Sequence, residues 1–226
     1  MILNDIYTFC KSFGIISSKK GDFMLNLIFQ LLITIIIAYI IGSIPTGYLI
    51  VKTKTGEDIR NVGSGSTGAT NVKRVLGKKW FFIVMLLDAF KGALPVILAK
   101  IFISVGTTYG LAPVLAAVAV IIGHSKSCFL QFKGGKSVAS GVGTILALNW
   151  QVGLVVAAIW GTITYFTKYV SVGSIIALLI SPILMYTFKS PIGYIFYCAI
   201  GAIYIVYLHR ENIVRLINGN ENKVRK

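Results

Sequence analysis

"MLNLIFQLLITIIIAYIIGSIPTGYLIV", residues 24–51, contains no charged side chain. As a helix rising about 1.5 Å per residue, such a run more than crosses the roughly 30 Å of hydrocarbon in a bilayer. The pattern recurs outward from it. Charge-poor runs fall at residues 27–51, 80–103, 111–123, 137–149, 152–167, 172–188 and 191–208. The run at 137–149 is too short to span comfortably, but counting it as a span makes the charge distribution coherent. The 226 residues are 56% hydrophobic and 13% charged, with a mean hydropathy of +0.81, which excludes an ordinary soluble domain. Backbone in lipid must satisfy its own hydrogen bonds, and the runs lack the alternation of barrel strands. The expected fold is an all-α integral membrane protein with seven transmembrane helices.

With seven spans, the connections at 52–79 and 124–136, Lys168, and the tail at 209–226 share one side and carry 16 of the 22 Lys and Arg residues. The connections at 104–110, 148–152 and 187–190 carry only Lys189. The positive-inside rule then puts the N-terminus outside and the C-terminus and basic loops in the cytoplasm, although Lys11, Lys19 and Lys20 run against it. The net charge of +15 is thereby concentrated on one membrane face, where it attracts anionic lipid. No nucleic-acid-binding module accompanies it, so a nucleic-acid partner is not expected. Cys10, Cys128 and Cys198 are odd in number and widely spaced, which suggests neither a disulfide framework nor a metal site. No cofactor and no obligate protein partner is implied.

Three polar stretches are candidates for chemistry. The first, "NVGSGSTGATNVKRVLGKK" at 61–79, satisfies G-x-G-x-x-G through Gly63, Gly65 and Gly68, but no strand precedes it as a dinucleotide fold requires. It also resembles a P-loop with Ala69 where the phosphate-binding lysine belongs, which disfavours nucleotide hydrolysis. What remains is an anion cradle: glycines that let backbone N–H groups converge, hydroxyls from Ser64, Ser66, Thr67 and Thr70, and charge from Lys73 and Arg74. The second, "GHSKSCFLQFKGGKS" at 123–137, places Gly134 and Gly135 between Lys133 and Lys136, so an anion can approach the backbone between two ammonium groups. The third, "HRENIVRL" at 209–216, puts His209 and Asn212 on one helix face. Within the second run, Asp88 and Lys91 are three apart in apolar sequence, an ion pair expected to support the floor of the site. All three stretches fall on the expected cytoplasmic face. A transporter of a phosphorylated anion is the alternative, but no internal repeat is visible.

These stretches, together with "GSIPTGYLI" and "LDAFKGALPV", resemble in order the bacterial PlsY-type acyl-phosphate:glycerol-3-phosphate acyltransferases, from about residue 38 to 217. The resemblance implies an enzyme of the bacterial inner (plasma) membrane that moves a fatty acyl group from acyl phosphate to the 1-hydroxyl of sn-glycerol 3-phosphate. Lysophosphatidate and inorganic phosphate would be its products, in the first acylation step of bacterial phospholipid synthesis. It also implies catalytic roles for Ser64, Arg74, Lys136, His209 and Asn212, and substrate binding by Gly63, Gly65, Ser66, Gly68, Thr70, Asn71, Gly134, Gly135 and Ser174. Two positions depart from the family pattern: Ser66 stands where asparagine is usual, and Ser137 where KGGKG ends in glycine. Ser66 still donates a hydrogen bond, whereas Ser137 lacks glycine's backbone freedom and is expected to stiffen its loop. Neither His124 nor His209 is followed five positions later by Asp, so the H-x-x-x-x-D pair of the other large glycerolipid acyltransferase class is missing.

Residues 24–217 read as a single membrane domain, with 218–226 a basic polar tail and 1–23 a leader. The leader lacks the small-residue cleavage site of a signal peptide, and Met24 is a plausible start. Truncation to Met24 is expected to leave acyl transfer unchanged in a direct assay, and loss of activity in that variant would give the leader a role.

Overall fold

The computed structural model describes residues 20–103 and 110–224, so the leader expectation, apart from residues 20–23, lies outside the described residues. The described residues are helical throughout, without strands. Helix α1 (Lys20–Ser43) is broken from α2 (Thr46–Thr55) at Ile44 and Pro45. Proline has no amide hydrogen to continue the ladder, and its ring clashes with the preceding turn. A polar loop leads to α3 (Ala69–Leu76), and Gly77 separates that short helix from α4 (Lys78–Phe102). Then follow α5 (Leu111–Ser125), α6 (Val138–Leu148), α7 (Trp150–Thr167), α8 (Val170–Thr187), α9 (Ile192–Leu208) and α10 (Arg210–Ile217).

Among the described residues, five segments are long and apolar enough to cross a bilayer, and α9 with α10 makes a sixth if the pair, bent by 59°, is one span. The run read as the fourth span folds as α6, whose 11 residues rise only about 16 Å. Side chains satisfy the backbone groups freed at its end. Lys100 Nζ donates to the carbonyls of Ala147 (2.9 Å) and Leu148 (3.3 Å), and Asn149 caps α7 by accepting from the N–H groups of Gln151 and Val152.

Small residues set the helix contacts. In lipid, where apolar surface alone gives no preference for helix over acyl chain, close backbone approach supplies the attraction. Helix α1 meets α5 where Gly42 lies against the Val120 backbone and Gly123 against Tyr39 O. Helix α4 meets α6 where Gly92 abuts Ser140 O and Gly143 abuts Ala89 O. The core between them is built from Val96, Ala99, Ala116, Ala117, Val120, Ile145, Val152, Val156 and Met185. Large apolar side chains such as Leu25, Phe29, Ile36, Phe90, Ile101, Phe196 and Ile203 point outward, the surface that a bilayer solvates.

A Cβ on Gly143 would stand 2.0 Å from Ala89 O, a backbone atom that cannot rotate away. Gly143→Val is therefore expected to destabilise the α4–α6 pair by about 1–3 kcal/mol or more, the usual cost of overpacking, read as a lowered Tm of the detergent-solubilised protein.

Candidate active site

The glycine-rich loop is folded around one side chain. Asn71, in the first turn of α3, is almost fully buried, and its amide hydrogens face the carbonyls of Val62 (2.8 Å), Ser66 (3.0 Å) and Ile59 (3.3 Å). Its Oδ1 accepts from the Ser64 N–H at 3.0 Å. Gly63 and Gly65 take left-handed φ values of 62° and 68°, and a Cβ on Gly63 would sit 2.3 Å from that same Oδ1. Beneath, Val51, Ile59, Val72 and Val84 form a small apolar cluster that seats α3 and the loop on α2 and α4. Asn71 thus shapes the loop, and Ser64, Ser66, Thr70 and Arg74 line the space in front of it. Arg74 is exposed and carries no hydrogen bond or ion pair to another described residue.

The second cradle is moulded onto His124. The Gly135 N–H donates to His124 O at 3.1 Å, a Cβ on Gly134 would stand 2.2 Å from that oxygen, and one on Gly135 would stand 2.3 Å from the ring Nε2. Only glycine fits at either place. His124 Nδ1 in turn meets Ser140 Oγ at 2.9 Å and lies 3.8 Å from Asp88. Ser137 adopts the left-handed conformation (φ 58°), and its hydroxyl donates to Ile121 O at 3.0 Å, a tether that glycine would lack. Lys136 leaves this loop toward the third stretch.

At the bend between α9 and α10, His209 is buried and its Nδ1 contacts Ile205 O at 2.8 Å. A carbonyl only accepts, so Nδ1 holds the proton, and a neutral ring presents Nε2 as an acceptor. One turn on, Asn212 Oδ1 accepts from Lys136 Nζ and Asn212 Nδ2 donates to Glu221 at 2.6 Å. Ser174 is buried on α8, donating to Val170 O at 2.8 Å and accepting from Trp160 Nε1 at 3.3 Å.

One cavity of about 390 Å³ joins these groups. Its polar lining comprises Ser64, Ser66, Gly68, Thr70, Asn71, Arg74, Lys136, Ser174, His209 and Asn212. Gly63, Gly65, Gly134 and Gly135 stand behind that lining and set the backbone path. The rest of the lining is mostly apolar: Phe81, Met85 and Leu86 from α4, Val142 and Leu146 from α6, and Ala157, Trp160 and Gly161 from α7. Asp88 reaches the floor, 2.9 Å from Lys91.

Sequence reasoning missed His124, Ser171, Arg215 and Glu221, which also line the cavity. Spacing pointed to Arg215, since 209, 212 and 215 follow one helix face. Glu221 gave no such signal, because it lies in the tail set apart from the membrane domain. It brings a carboxylate into the cavity beside the loops. Burial pushes the Glu221 carboxyl up, but hydrogen bonds from Asn212, Arg215 and Ser171, with the charge of Arg215, hold it below the usual carboxylate range. Burial, then the charge of Arg215, lowers the Lys136 ammonium below an ordinary lysine.

The arrangement is a membrane-protein site whose lining combines cationic and hydroxyl groups with hydrocarbon side chains. A family model described as glycerol-3-phosphate acyltransferase matches residues 32–219. Glycerol-3-phosphate acyltransferases of Trichormus variabilis (42% identical over 203 residues, 84% of this chain and 90% of that one) and Gloeobacter violaceus (45% over 188 residues, 83% and 91%) are similar. So is the crystal structure of PlsY, an integral membrane glycerol 3-phosphate acyltransferase. Its glycerol 3-phosphate form has a TM-score of 0.81 and 38% identity, covering 87% of this chain and 96% of that one. Its lysophosphatidic acid form has a TM-score of 0.78 and 35% identity over the same shares. The chain belongs to the glycerol-3-phosphate acyltransferase family and is an integral membrane acyltransferase.

Only the ammonium form of Lys136 neutralises an anion, so its contribution is present below its pKa and lost as pH rises through it. The lowered value brings that loss to a lower pH than for a solvated lysine. Lys136→Ala is expected to cut kcat/KM about 10- to 100-fold, the worth of a charge-assisted hydrogen bond. Lys136→Arg should move the alkaline limb of the pH–rate profile upward, because a guanidinium stays charged.

Proposed function

We propose that this chain transfers a fatty acyl group from acyl phosphate to the 1-hydroxyl of sn-glycerol 3-phosphate, releasing lysophosphatidate and inorganic phosphate. One observation carries the reading: a single cavity is lined both by the polar groups of Arg74, Lys136, His209 and Asn212 and by the apolar side chains of Phe81, Met85, Leu146 and Trp160. The reactants are phosphate-bearing anions and one of them has a long hydrocarbon tail, so their chemistry calls for a lining of both kinds. The related PlsY forms, one named for glycerol 3-phosphate and one for lysophosphatidic acid, correspond to an acceptor and a product of this reaction. Membership of an acyltransferase family sets the transporter reading aside.

In the proposed mechanism, Arg74 and His209 hold glycerol phosphate while Lys136, carried at the end of the Gly134–Gly135 turn, holds acyl phosphate. Ser64 and the loop N–H groups orient the reactants. The glycerol oxygen attacks the acyl carbon, the bond from that carbon to the phosphate oxygen breaks, and the departing phosphate takes the hydroxyl proton. Acyl phosphate is already activated, so positioning and oxyanion stabilisation by N–H groups, Asn212 or Lys136 supply the catalysis. His209 orients the acceptor through Nε2. Ser66, Gly68, Thr70, Asn71 and Ser174 complete substrate binding, directly or by shaping the walls.

We place the site on the cytoplasmic face of a bacterial inner membrane. The proposed topology has seven spans, α6 included, with the N-terminus outside and the C-terminus inside. The proposed unit is one domain over 24–217, flanked by the leader and the tail.

Purified protein given palmitoyl phosphate and radiolabelled glycerol 3-phosphate is expected to form lysophosphatidate, and no product from folded protein would overturn the reading. His209→Ala is expected to raise KM for glycerol 3-phosphate about 10-fold or more, the worth of a hydrogen bond or two, while single turnover persists at saturating substrate. Abolished single turnover would make His209 the base.

A further inference from the structure

The carboxylate of Glu221 lies two residues beyond the end of the family match, in the segment after α10, yet its side chain is only 5% exposed. Three donors converge on it: Ser171 Oγ (3.0 Å) and Asn212 Nδ2 (2.6 Å) on Oε1, and Arg215 Nε (2.9 Å) on Oε2. The segment is tied down once more where the Val224 N–H donates to Lys168 O at 2.8 Å. It therefore closes across the ends of α7, α8 and α10.

An asparagine amide has an accepting end and a donating end, and it can be turned either way round. A carboxylate only accepts. Glu221 therefore draws the NH₂ end of Asn212 toward itself and leaves Oδ1 facing Lys136, the one orientation in which the Lys136 ammonium finds an acceptor. Turned round, the amide would set donor against donor at Lys136 and acceptor against acceptor at Glu221. Glu221 also places one negative charge among Arg74, Arg215 and Lys136, whose like charges would otherwise disfavour their gathering.

We propose that Glu221 is a positioning residue for acyl transfer: it sets the amide of Asn212, and through it Lys136, and aligns Arg215 on the same cavity. The inference rests on the reading of Asn212 and Lys136 as site residues.

A double-mutant cycle on the full-length protein tests it, with two readouts: acyl-transfer kinetics, and the rise in Tm produced by glycerol 3-phosphate, which needs no acyl donor. Glu221→Ala is expected to lower kcat/KM about 10- to 100-fold and to shrink the glycerol 3-phosphate stabilisation. Glu221→Gln, which keeps one accepting oxygen, should fall between it and the wild type. In an Asn212→Ala background, Glu221→Ala should change either readout by less than about threefold. Fully multiplicative effects would overturn the proposal. So would a Glu221→Ala variant with lower KM or higher kcat, the behaviour of a tail that competes with the substrate anion. If Glu221→Ala does not fold, Glu221→Gln carries the same cycle under the same criteria. If wild-type protein makes no lysophosphatidate from acyl phosphate, the donor assignment fails while the Tm cycle still decides the role of Glu221.

Discussion

A buried ammonium needs oxygen around it, and Lys91 has two sources: Asp88 at 2.9 Å and the carbonyl of Ile44 at 2.7 Å. The second is a carbonyl at the Ile44–Pro45 break in the first apolar segment. The break is therefore a docking point for α4 as well as an interruption. Asp88 receives the Thr46 hydroxyl from the start of α2 and faces His124 from α5. His124 then carries the backbone of Gly134 and Gly135. One ion pair thus ties the first segment, α4, α5 and the second cradle together, and removing either partner would leave an uncompensated charge in an apolar interior. Partnered intramembrane charges of this kind are costly to lose, and here the geometry of the site is built on one.

The same logic governs the polar lining of the cavity at smaller cost. Arg74, Lys136 and Arg215 gather where the helices end, and the resulting field is what a dianionic substrate needs. Their mutual repulsion is held in check by Glu221 and by the exposed Glu211, while Asn212 gives Lys136 a neutral acceptor. An anion entering the cavity meets charges and hydroxyls already in place, so little reorganisation remains for the reacting step.

Much of this was legible in the residues. The apolar runs located the helices because twenty or so uncharged residues have few other fates, and the anion cradles were visible because glycine clusters beside lysine have few other uses. Local pattern was silent about contacts made across the fold. Asn71 lines the cavity as expected of a residue near substrate, but the pattern did not show that its amide also faces three carbonyls of its own loop. His124 showed only as an isolated histidine until Gly134 and Gly135 closed against it. The run at 137–149 has the composition of a span but only 11 helical residues, because Ser137 starts the helix late in a left-handed turn and Asn149 ends it. Glu221 sits in a stretch whose composition reads as a solvated tail, and only the three donors waiting for it reveal its place.

The mixed lining of the cavity bears on the units in which the proposed acyl donor would be counted. A donor of the proposed kind, its tail along Phe81, Leu146 and Trp160, would be dissolved in the lipid around the helices, not in the water above them. For such a ligand, occupancy follows its mole fraction in the membrane plane, so diluting the bilayer with inert lipid slows the reaction at constant bulk concentration. The water-soluble partner obeys ordinary volume concentration. The two reactants meet at this site on scales of different dimension.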